Sequence, residues 1–324
     1  VCLSLVMAGS AAAQSVQDAS RGKDPGVFSL LPPAASTTHS VSVPGKQLVY
    51  TATADTLPLL RPDARTSARI FFVAYDLTAV NGARPSADRP VTFVFNGGPG
   101  AASAYLHLGA LGPRVLETAP DGAFLAPPQK LKDNPDTWLD MTDLVFIDPV
   151  GTGYSRAASG EKASDFWGVS QDASALAAFI RLYLQNSGRT DSPVYLVGES
   201  YGGFRAALLA KTLQEDTGIS PTGLVLISPA LEFSFVHGDR YQPLHWALRL
   251  PSLAAAHLEH AGTPLPDMTK KLAEVEHYAM TGYVTALISG LESGGKQASD
   301  QVALSGRALE FCALLASSSF AARF

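Results

Sequence analysis

The pentapeptide Gly198-Glu199-Ser200-Tyr201-Gly202 places a serine between small residues in the pattern Gly-x-Ser-x-Gly. A serine at a sharp turn from a strand into a helix exposes its hydroxyl for nucleophilic attack, and the next backbone N–H can face a developing oxyanion. The pattern alone is a weak signal because glycine and serine are common residues. The alternative is a tight corner between a strand and a helix in which the serine is only structural.

The segments on either side of Ser200 favour the nucleophile interpretation. Residues 194–197 form an apolar run typical of a buried strand, and residues 204–214 follow with helical spacing. A strand, a turn and a helix in this order are the setting that such a serine requires. The sequence therefore predicts Ser200 as a nucleophile at the end of a strand.

A second glycine cluster, Asn96-Gly97-Gly98-Pro99-Gly100, also follows an apolar strand. Consecutive glycines let backbone N–H groups approach a ligand closely, as an oxyanion hole requires. No Gly-Lys-Ser/Thr follows, so the cluster is not a nucleotide-binding P-loop. Taken alone, such a cluster is more often a simple turn.

The surrounding pattern predicts the fold class. Four short apolar segments are typical of buried strands: 90–96, 144–148, 193–198 and 223–228. They alternate with amphipathic helices, which predicts an α/β fold with a mostly parallel central sheet. Residues 46–54 and 68–78 are rich in strand-forming types and predict an antiparallel N-terminal part. After Glu232 the pattern is helical, at 250–259, 268–291 and 297–316, and predicts a helical insertion or lid.

Composition excludes several classes of protein. The chain has 324 residues, of which 46% are hydrophobic and 16% charged, enough apolar side chains for a substantial core. The net charge is −5 without a basic cluster, which argues against binding to nucleic acid or to an anionic membrane. Two cysteines cannot form a disulfide framework or a thiolate zinc site. We predict neither a metal nor a cofactor.

The N-terminal residues predict export. Residues 1–8 are apolar, and three alanines at 11–13 resemble a signal-peptidase site, so residues 1–13 are interpreted as a residual signal peptide. An ordinary apolar terminal segment is the alternative. Residues 14–45 are rich in Ser, Ala, Pro and Thr and predict a linker. We therefore expect a periplasmic or secreted protein with a core at 46–232 and a helical insertion at 233–324.

Together the motifs resemble the serine carboxypeptidase family, within the α/β-hydrolase fold. The matching segments are VTFVFNGGPGAAS (91–103), LGP (111–113), NPDTW (134–138), LVFIDPVGTGYS (144–155), LVGESYGG (196–203) and ISP (227–229). They follow the family's order over roughly 46–232, and the pairing of NGGPG with GESYGG is specific. The resemblance implies a bacterial-type member that hydrolyses C-terminal residues of peptides and needs no cofactor.

The resemblance also implies the catalytic roles of three residues. Ser200 would form the acyl-enzyme. The backbone N–H groups of Gly98 and Tyr201 would form the oxyanion hole.

Three further residues would hold the free C-terminal carboxylate of the substrate: Asn96, the Gly97 N–H and Glu199. Two adjacent carboxylates cannot both be charged cheaply, so Glu199 would be protonated or share a proton with the substrate. This implies a preference for acidic conditions. The alternative for Glu199 is a residue at a helix N-terminus that the helix dipole favours.

The chain departs from the family pattern at two places. Many members read Glu-Leu-Gly-Pro where this chain has Ala110-Leu111-Gly112-Pro113, so a second carboxylate is absent and strict acid dependence is in doubt. The family's Cys-Ser-Ser is Ala101-Ala102-Ser103 here, so the associated disulfide is lost.

A serine nucleophile of this fold is followed in the chain by an Asp and then by a His that acts as its base. The downstream candidates are His237, His245, His257, His260 and His277, with Asp216, Asp239, Asp267 and Asp300. None follows a recognisable strand, so we predict that all five histidines are lid or surface residues. His260 precedes Ala261-Gly262 at a predicted helix end, where a capping role is the simpler account.

The predicted absence of the triad Asp and His implies an incomplete sheet and a chain cut short at its C-terminus. Removing the base lowers turnover on the order of a millionfold, so this chain would be nearly inactive as it stands. Two alternatives remain open. One is an acyltransferase or esterase on the same scaffold, and the other is a non-catalytic binding protein that keeps the pocket.

Overall fold

The computed structural model describes residues 26–78, 88–119, 122–123, 125–236 and 242–292. The chain divides into two compact units, Val1–Leu231 and Glu232–Phe324. The predicted signal peptide at 1–13 lies outside the described residues, as do both cysteines.

The described part of the first unit contains ten strands and three α-helices. The strands are β1 (Ala35–Val43), β2 (Lys46–Leu60), β3 (Thr66–Leu77), β4 (Val91–Phe95), β5 (Arg114–Leu116), β6 (Leu131–Asp133), β7 (Asp143–Ile147), β8 (Arg156–Ala157), β9 (Val194–Glu199) and β10 (Gly223–Ile227). The helices are α1 (Ala104–Leu106), α2 (Val169–Ser187) and α3 (Tyr201–Thr212), with π-helical continuations of α1 and α3 at His107–Leu111 and Leu213–Thr217. Short 3₁₀ helices lie at Val27–Leu30, Trp138–Asp140 and Ala163–Phe166.

The main sheet has the strand order β1-β2-β3-β7-β4-β9-β10, and β8 pairs with β3. The pairs β1–β2, β2–β3 and β3–β7 are antiparallel. The pairs β7–β4, β4–β9 and β9–β10 are parallel. The prediction of a mixed α/β fold with an antiparallel N-terminal part is confirmed. The carboxyl ends of β4 and β9 therefore lie side by side, and each is followed by a glycine cluster.

The core lies on both faces of the parallel strands, and every residue of β4 and β7 is buried. Alternate side chains of β4 belong to different clusters: Phe93 and Phe95 pack on one face and Val94 on the other. The first cluster includes the apolar stripe of α2, namely Leu176, Phe179, Ile180 and Tyr183. Continuously apolar strands fit a sheet that is covered on both faces. Gly188, with φ of 68°, ends α2 in the left-handed conformation common at helix C-termini.

The linker prediction for 14–45 is wrong over residues 35–43. These residues form β1, whose nine residues pair in register with β2. The segment is Ser- and Thr-rich, and only Val41 is buried, so it lacks the apolar alternation that marks a half-buried strand. Its β-branched residues suit an exposed strand whose order comes from pairing with β2.

The second unit is helical throughout its described part, 232–236 and 242–292. Its helices are α4 (Phe233–Val236), α5 (Pro243–His260), α6 (Leu265–Tyr278) and α7 (Val284–Glu292), with a π-helical turn at Ala279–Tyr283. A small apolar cluster joins Leu250 and Ala254 to Val275 and Ala279. The helix predicted at 297–316 lies outside the described residues. None of the helices that the structure describes is both long and apolar enough to cross a bilayer.

Candidate active site

Ser200 occupies the turn between β9 and α3 in a conformation that non-glycine residues rarely adopt. Its φ is 59° and its ψ is −122°. The backbone on both sides is held by hydrogen bonds: Ser200 N donates to the Ile227 carbonyl at 2.9 Å, and the Ser200 carbonyl accepts from Gly203 N and Ala230 N at 3.0 Å each. Strained backbone of this kind persists only where the surrounding structure enforces it, and it concentrates at functional sites.

Three glycines allow the two clusters to approach each other. A Cβ on Gly198 would lie 1.9 Å from the Gly202 carbonyl oxygen, and one on Gly202 would lie 2.7 Å from the Phe95 carbonyl oxygen. A Cβ on Gly97 would lie 2.7 Å from Tyr201 N and 2.8 Å from Ser200 Cβ. The loop after β4 therefore packs directly on the serine turn, with no space for a side chain between them.

A cavity of about 420 Å³ opens at this junction. Its lining residues are Asn96, Gly97, Gly98, Ala101, Tyr105, Leu106, Glu199 and Ser200. Five of the six residues that the sequence predicts for the site line this cavity. The sixth, Tyr201, has a buried side chain, and its predicted contribution is its backbone N–H.

The side chains of Asn96 and Glu199 contact each other in the cavity. Asn96 Nδ2 donates to Glu199 Oε2 at 3.2 Å, while Asn96 Oδ1 accepts from Leu106 N at 2.9 Å. The backbone donor fixes which end of the amide is oxygen, so the NH₂ group must face Glu199. Asn96 is only 2% exposed, and this orientation is therefore set by its surroundings.

A buried arginine lies behind these residues. Arg205 Nε forms an ion pair with Asp172 Oδ2 at 2.6 Å, and its Nη1 donates to the Asn96 carbonyl at 2.9 Å. Its guanidinium lies 5.1 Å from the centre of the Tyr201 ring. No motif in the sequence predicts this pair. The sequence signal for a buried Arg205 is its place on the same face of α3 as Tyr201, Ala206 and Leu209. In the structure all four residues are buried.

Two of the matching segments support the site from outside. In NPDTW, Asn134 Nδ2 donates to the carbonyls of Ala110 and Gly112 at 2.7 and 2.8 Å. In the segment after β7, Asp148 Oδ1 accepts from Ser103 N at 2.9 Å. Burial raises the pKa of Asp148, although its backbone hydrogen bonds from Ser103 and Tyr154 oppose the rise. Both segments thus hold the chain that follows the Asn96 loop.

The two histidines of the first unit are engaged elsewhere. His39 Nε2 lies 2.8 Å from Thr37 Oγ1 in β1. His107 Nε2 lies 2.6 Å from the Tyr75 hydroxyl, and its ring stacks on Phe146. Burial lowers the pKa of His107 to about 4. Among the described residues, no side chain is hydrogen-bonded to the Ser200 hydroxyl.

Four of the five downstream histidines lie on helices of the second unit. His245 is buried, with Nδ1 2.5 Å from the Phe235 carbonyl and Nε2 3.3 Å from Arg249 Nη1, so both ring nitrogens are engaged. It belongs to the helical unit, as predicted, although it is not a surface residue. His257 and His260 lie in the last turn of α5, where Gly262 follows with φ of 70°.

The remaining candidates are divided between helices and residues that are not described. His277 lies in the last turn of α6, Asp267 in its first turn, and Asp216 in the π-helical turn after α3. His237, Asp239 and Asp300 lie outside the described residues. The described ranges also contain no cluster of His, Cys, Asp and Glu side chains that could hold a metal ion.

Comparison with known proteins gives a family. The family model described as "Serine carboxypeptidase" matches residues 60–222, half of the chain. "Serine carboxypeptidase-like 51" of Arabidopsis thaliana is 31% identical over 143 residues, 44% of this chain and 28% of the relative. "Pheromone-processing carboxypeptidase KEX1" of Yarrowia lipolytica is 30% identical over 208 residues, 61% of this chain and 30% of the relative. The chain spans about a third of the length of the curated relatives it matches.

A solved structure, the prohormone-processing carboxypeptidase KEX1(delta)p of Saccharomyces cerevisiae, aligns with 75% of this chain and 53% of its own at 20% identity and a TM-score of 0.48. The family model spans β3, the Asn96 loop, the Asp148 segment and the Ser200 turn, and the loop and the turn line the cavity. The chain belongs to the serine carboxypeptidase family.

Proposed function

We propose that the protein is a serine-type carboxypeptidase that releases C-terminal residues from peptides through an acyl-enzyme on Ser200. The observation that carries the proposal is the cavity in which the strained Ser200 turn meets the Asn96–Glu199 pair. A nucleophile beside a pair that can bind a carboxylate fits a peptide whose reactive bond is next to its free end. Family membership supports the same reaction.

In this proposal the backbone N–H groups of Gly98 and Tyr201 stabilise the oxyanion of the tetrahedral intermediate. Both lie in chain segments that the glycine contacts hold in place, and preorganised donors cost no reorganisation during the reaction. The carbonyl carbon of the scissile bond is attacked by the Ser200 oxygen, and the C-terminal residue leaves as an amine. Water then hydrolyses the acyl-enzyme.

Asn96, the Gly97 N–H and Glu199 are proposed to bind the substrate's terminal carboxylate. Glu199 already accepts from Asn96, so a substrate carboxylate at this place meets a carboxyl group beside it. The two groups bind only when they share a proton, which favours binding in acid. Ala110 supplies no second carboxyl group, so Glu199 is the one carboxyl group of the proposed site.

The orienting Asp and the base His are proposed to lie outside the residues that the structure describes. Export to the periplasm or out of the cell is proposed because residues 1–13 resemble a signal peptide. The core is proposed to span 46–232 and the helical insertion 233–324. A bacterial-type member remains a prediction, because the relatives named above come from fungi and a plant.

The test compares two peptides that differ only at the C-terminus, one a free acid and one an amide. A full-length form is expected to release the last residue from the acid at least tenfold faster, because an amide loses the charged hydrogen bonds to the proposed site, about 1.5–3 kcal/mol each. Equal cleavage of both peptides would overturn the proposed carboxylate recognition. Transfer of the acyl group to an added alcohol in preference to water would show an acyltransferase.

A further inference from the structure

The arginine behind the cavity contacts the two chain segments that the proposed oxyanion hole combines. Arg205 lies in the second turn of α3 and is 3% exposed. One guanidinium nitrogen bonds the carbonyl of Asn96, the residue that opens the glycine loop. The face of the same guanidinium lies over the ring of Tyr201, the residue that follows the nucleophile.

Asp172 fixes the position of this arginine. It lies in the first turn of α2, is 8% exposed, and accepts from Arg205 Nε at 2.6 Å. The Asp172 backbone N–H donates to the Gly168 carbonyl at 2.8 Å, so the carboxylate itself sits on an ordered helix end. A planar guanidinium held along one edge by a carboxylate presents its other N–H groups in a fixed direction.

We propose that Arg205, held by Asp172, is a positioning residue that sets the placement of the Asn96–Gly98 loop relative to Tyr201, and with it the geometry of the oxyanion hole. The inference rests on the proposed function of Ser200. The Asn96 carbonyl lies at the carboxyl end of β4, in the approach between the loop and α3, where a Cβ on Gly202 would lie 2.8 Å from it. The hydrogen bond from the charged Arg205 to this carbonyl connects the Asn96–Gly98 loop to α3, close to Ser200.

A purely structural ion pair is the competing explanation, and the chain offers a matched control for it. Arg189 forms an ion pair with Asp143 at 2.6 Å. Both residues are buried, with 6% of Arg189 and 1% of Asp143 exposed. The side-chain hydrogen bonds of this pair go to Leu77, Arg89 and Ser192, none of which lines the cavity. Substituting Arg189 should therefore report the loss of stability alone.

The experiment uses a full-length form with the substitutions Arg205→Lys, Arg205→Met, Arg189→Lys and Arg189→Met. A lysine keeps the charge but cannot bond Asp172 and Asn96 at once in the geometry of a guanidinium. Each variant is assayed for the rate at which a fluorophosphonate labels Ser200, and for kcat and KM with a free-acid peptide. Thermal unfolding of each variant is recorded, so that Arg205 and Arg189 variants of equal stability can be compared.

Arg205→Lys is expected to lower the labelling rate and kcat by about 10–100-fold, with KM changed by less than about threefold, because small displacements of catalytic groups have effects of this size. Arg189→Lys is expected to leave the labelling rate and kcat within about threefold of wild type, since it lies away from the site. If Arg205→Met does not fold, the lysine variant and Asp172→Asn give the same comparison.

Two results would overturn the positioning role. One is an Arg205→Lys variant with wild-type labelling rate and kcat. The other is an equal loss in Arg205 and Arg189 variants of equal stability. A wild-type enzyme that is neither labelled at Ser200 nor able to cleave the peptide would instead refute the proposed function, so the two failures are distinguishable.

Discussion

Two buried arginine–aspartate groups lie at opposite ends of the parallel strands and serve different purposes. At the amino ends, Asp143 accepts from Arg89 and Arg189 at 2.7 and 2.6 Å. Near the carboxyl end of β4, Asp172 holds Arg205 at 2.6 Å. The ion pairs have the same chemistry and similar burial, so their neighbours must account for any difference in role.

The group at the amino ends closes on backbone groups of neighbouring segments of the chain. Asp143 also accepts from Leu77 N at 2.9 Å, and Arg189 donates to the Arg89 carbonyl at 2.5 Å. The group at the carboxyl ends lies beneath the cavity and beside the strained Ser200. Ligands of open α/β sheets bind outside the carboxyl ends of the strands. The Arg205–Asp172 pair therefore lies at the end of the sheet that carries the cavity, and the Asp143 group lies at the other end.

The largest effect is expected from removing the proposed nucleophile. Ser200→Ala should lower kcat of a full-length form by about 10⁶-fold, as for other serine nucleophiles, without loss of stability. Its counterpart at the amino ends is Ser192, whose hydroxyl accepts from Arg189 Nε at 2.7 Å. Ser192→Ala should leave kcat unchanged. Steady-state kinetics of both variants measure the contrast, and a Ser200→Ala variant with substantial activity would break it.

The next largest effect is expected from filling the contact between the two glycine clusters. Gly97→Ala places a Cβ within 2.8 Å of three atoms of the serine turn. Displacing an oxyanion donor should lower kcat by about 10²–10³-fold. Gly109→Ala is the control, because its Cβ would meet nothing within 4 Å. Equal kcat values for the two variants would show that the loop does not contribute to the site.

A loss of stability without a loss of activity is expected at the amino ends. Arg189→Met leaves the Asp143 carboxylate, 1% exposed, with one arginine instead of two. The free energy of unfolding should fall by about 3 kcal/mol, the lower end of the range for broken buried pairs. Urea unfolding measures this loss, and kcat per folded molecule should stay within about threefold of wild type. A large fall in kcat of Arg189→Met would show that the amino ends of the parallel strands also contribute to activity.

A smaller, pH-dependent effect is expected from His107, which follows the cavity residues Tyr105 and Leu106. Burial lowers its pKa to about 4 in the folded protein, whereas an unfolded histidine has a pKa near 6.5. The unfolded chain therefore binds a proton first, and stability falls as the pH drops from about 6.5 to 4.

The matched variant is His107→Gln, which keeps a hydrogen-bonding partner for the Tyr75 hydroxyl. Wild type should lose about 2 kcal/mol relative to this variant between pH 7 and pH 4, a value reduced from the full shift because the side chain is only partly buried. Urea unfolding at both pH values gives the difference. Parallel pH dependence in the two proteins would contradict the assignment of the shift to His107.

The sequence predicts the functional end of the sheet better than the elements that support it. Ser200, Asn96 and Glu199 lie in two motifs that are specific only as a pair, and the strands before them are continuously apolar. Arg205 and Asp172 could not be predicted as a pair, because charged residues on helices are usually solvated and their burial depends on tertiary packing. Strand β1 was missed for a related reason, since its order comes from pairing with β2 and not from an apolar pattern.

The central claim, that Ser200 is the nucleophile of a site that recognises free C-termini, is tested most directly by trapping the acyl-enzyme. A full-length form is mixed with the free-acid peptide, quenched in acid within one turnover, digested and analysed by mass spectrometry. We expect the acyl mass on the fragment that contains Ser200, and its absence with the amidated peptide. Release of the C-terminal residue with the acyl group on another side chain, or with no covalent intermediate, would contradict it.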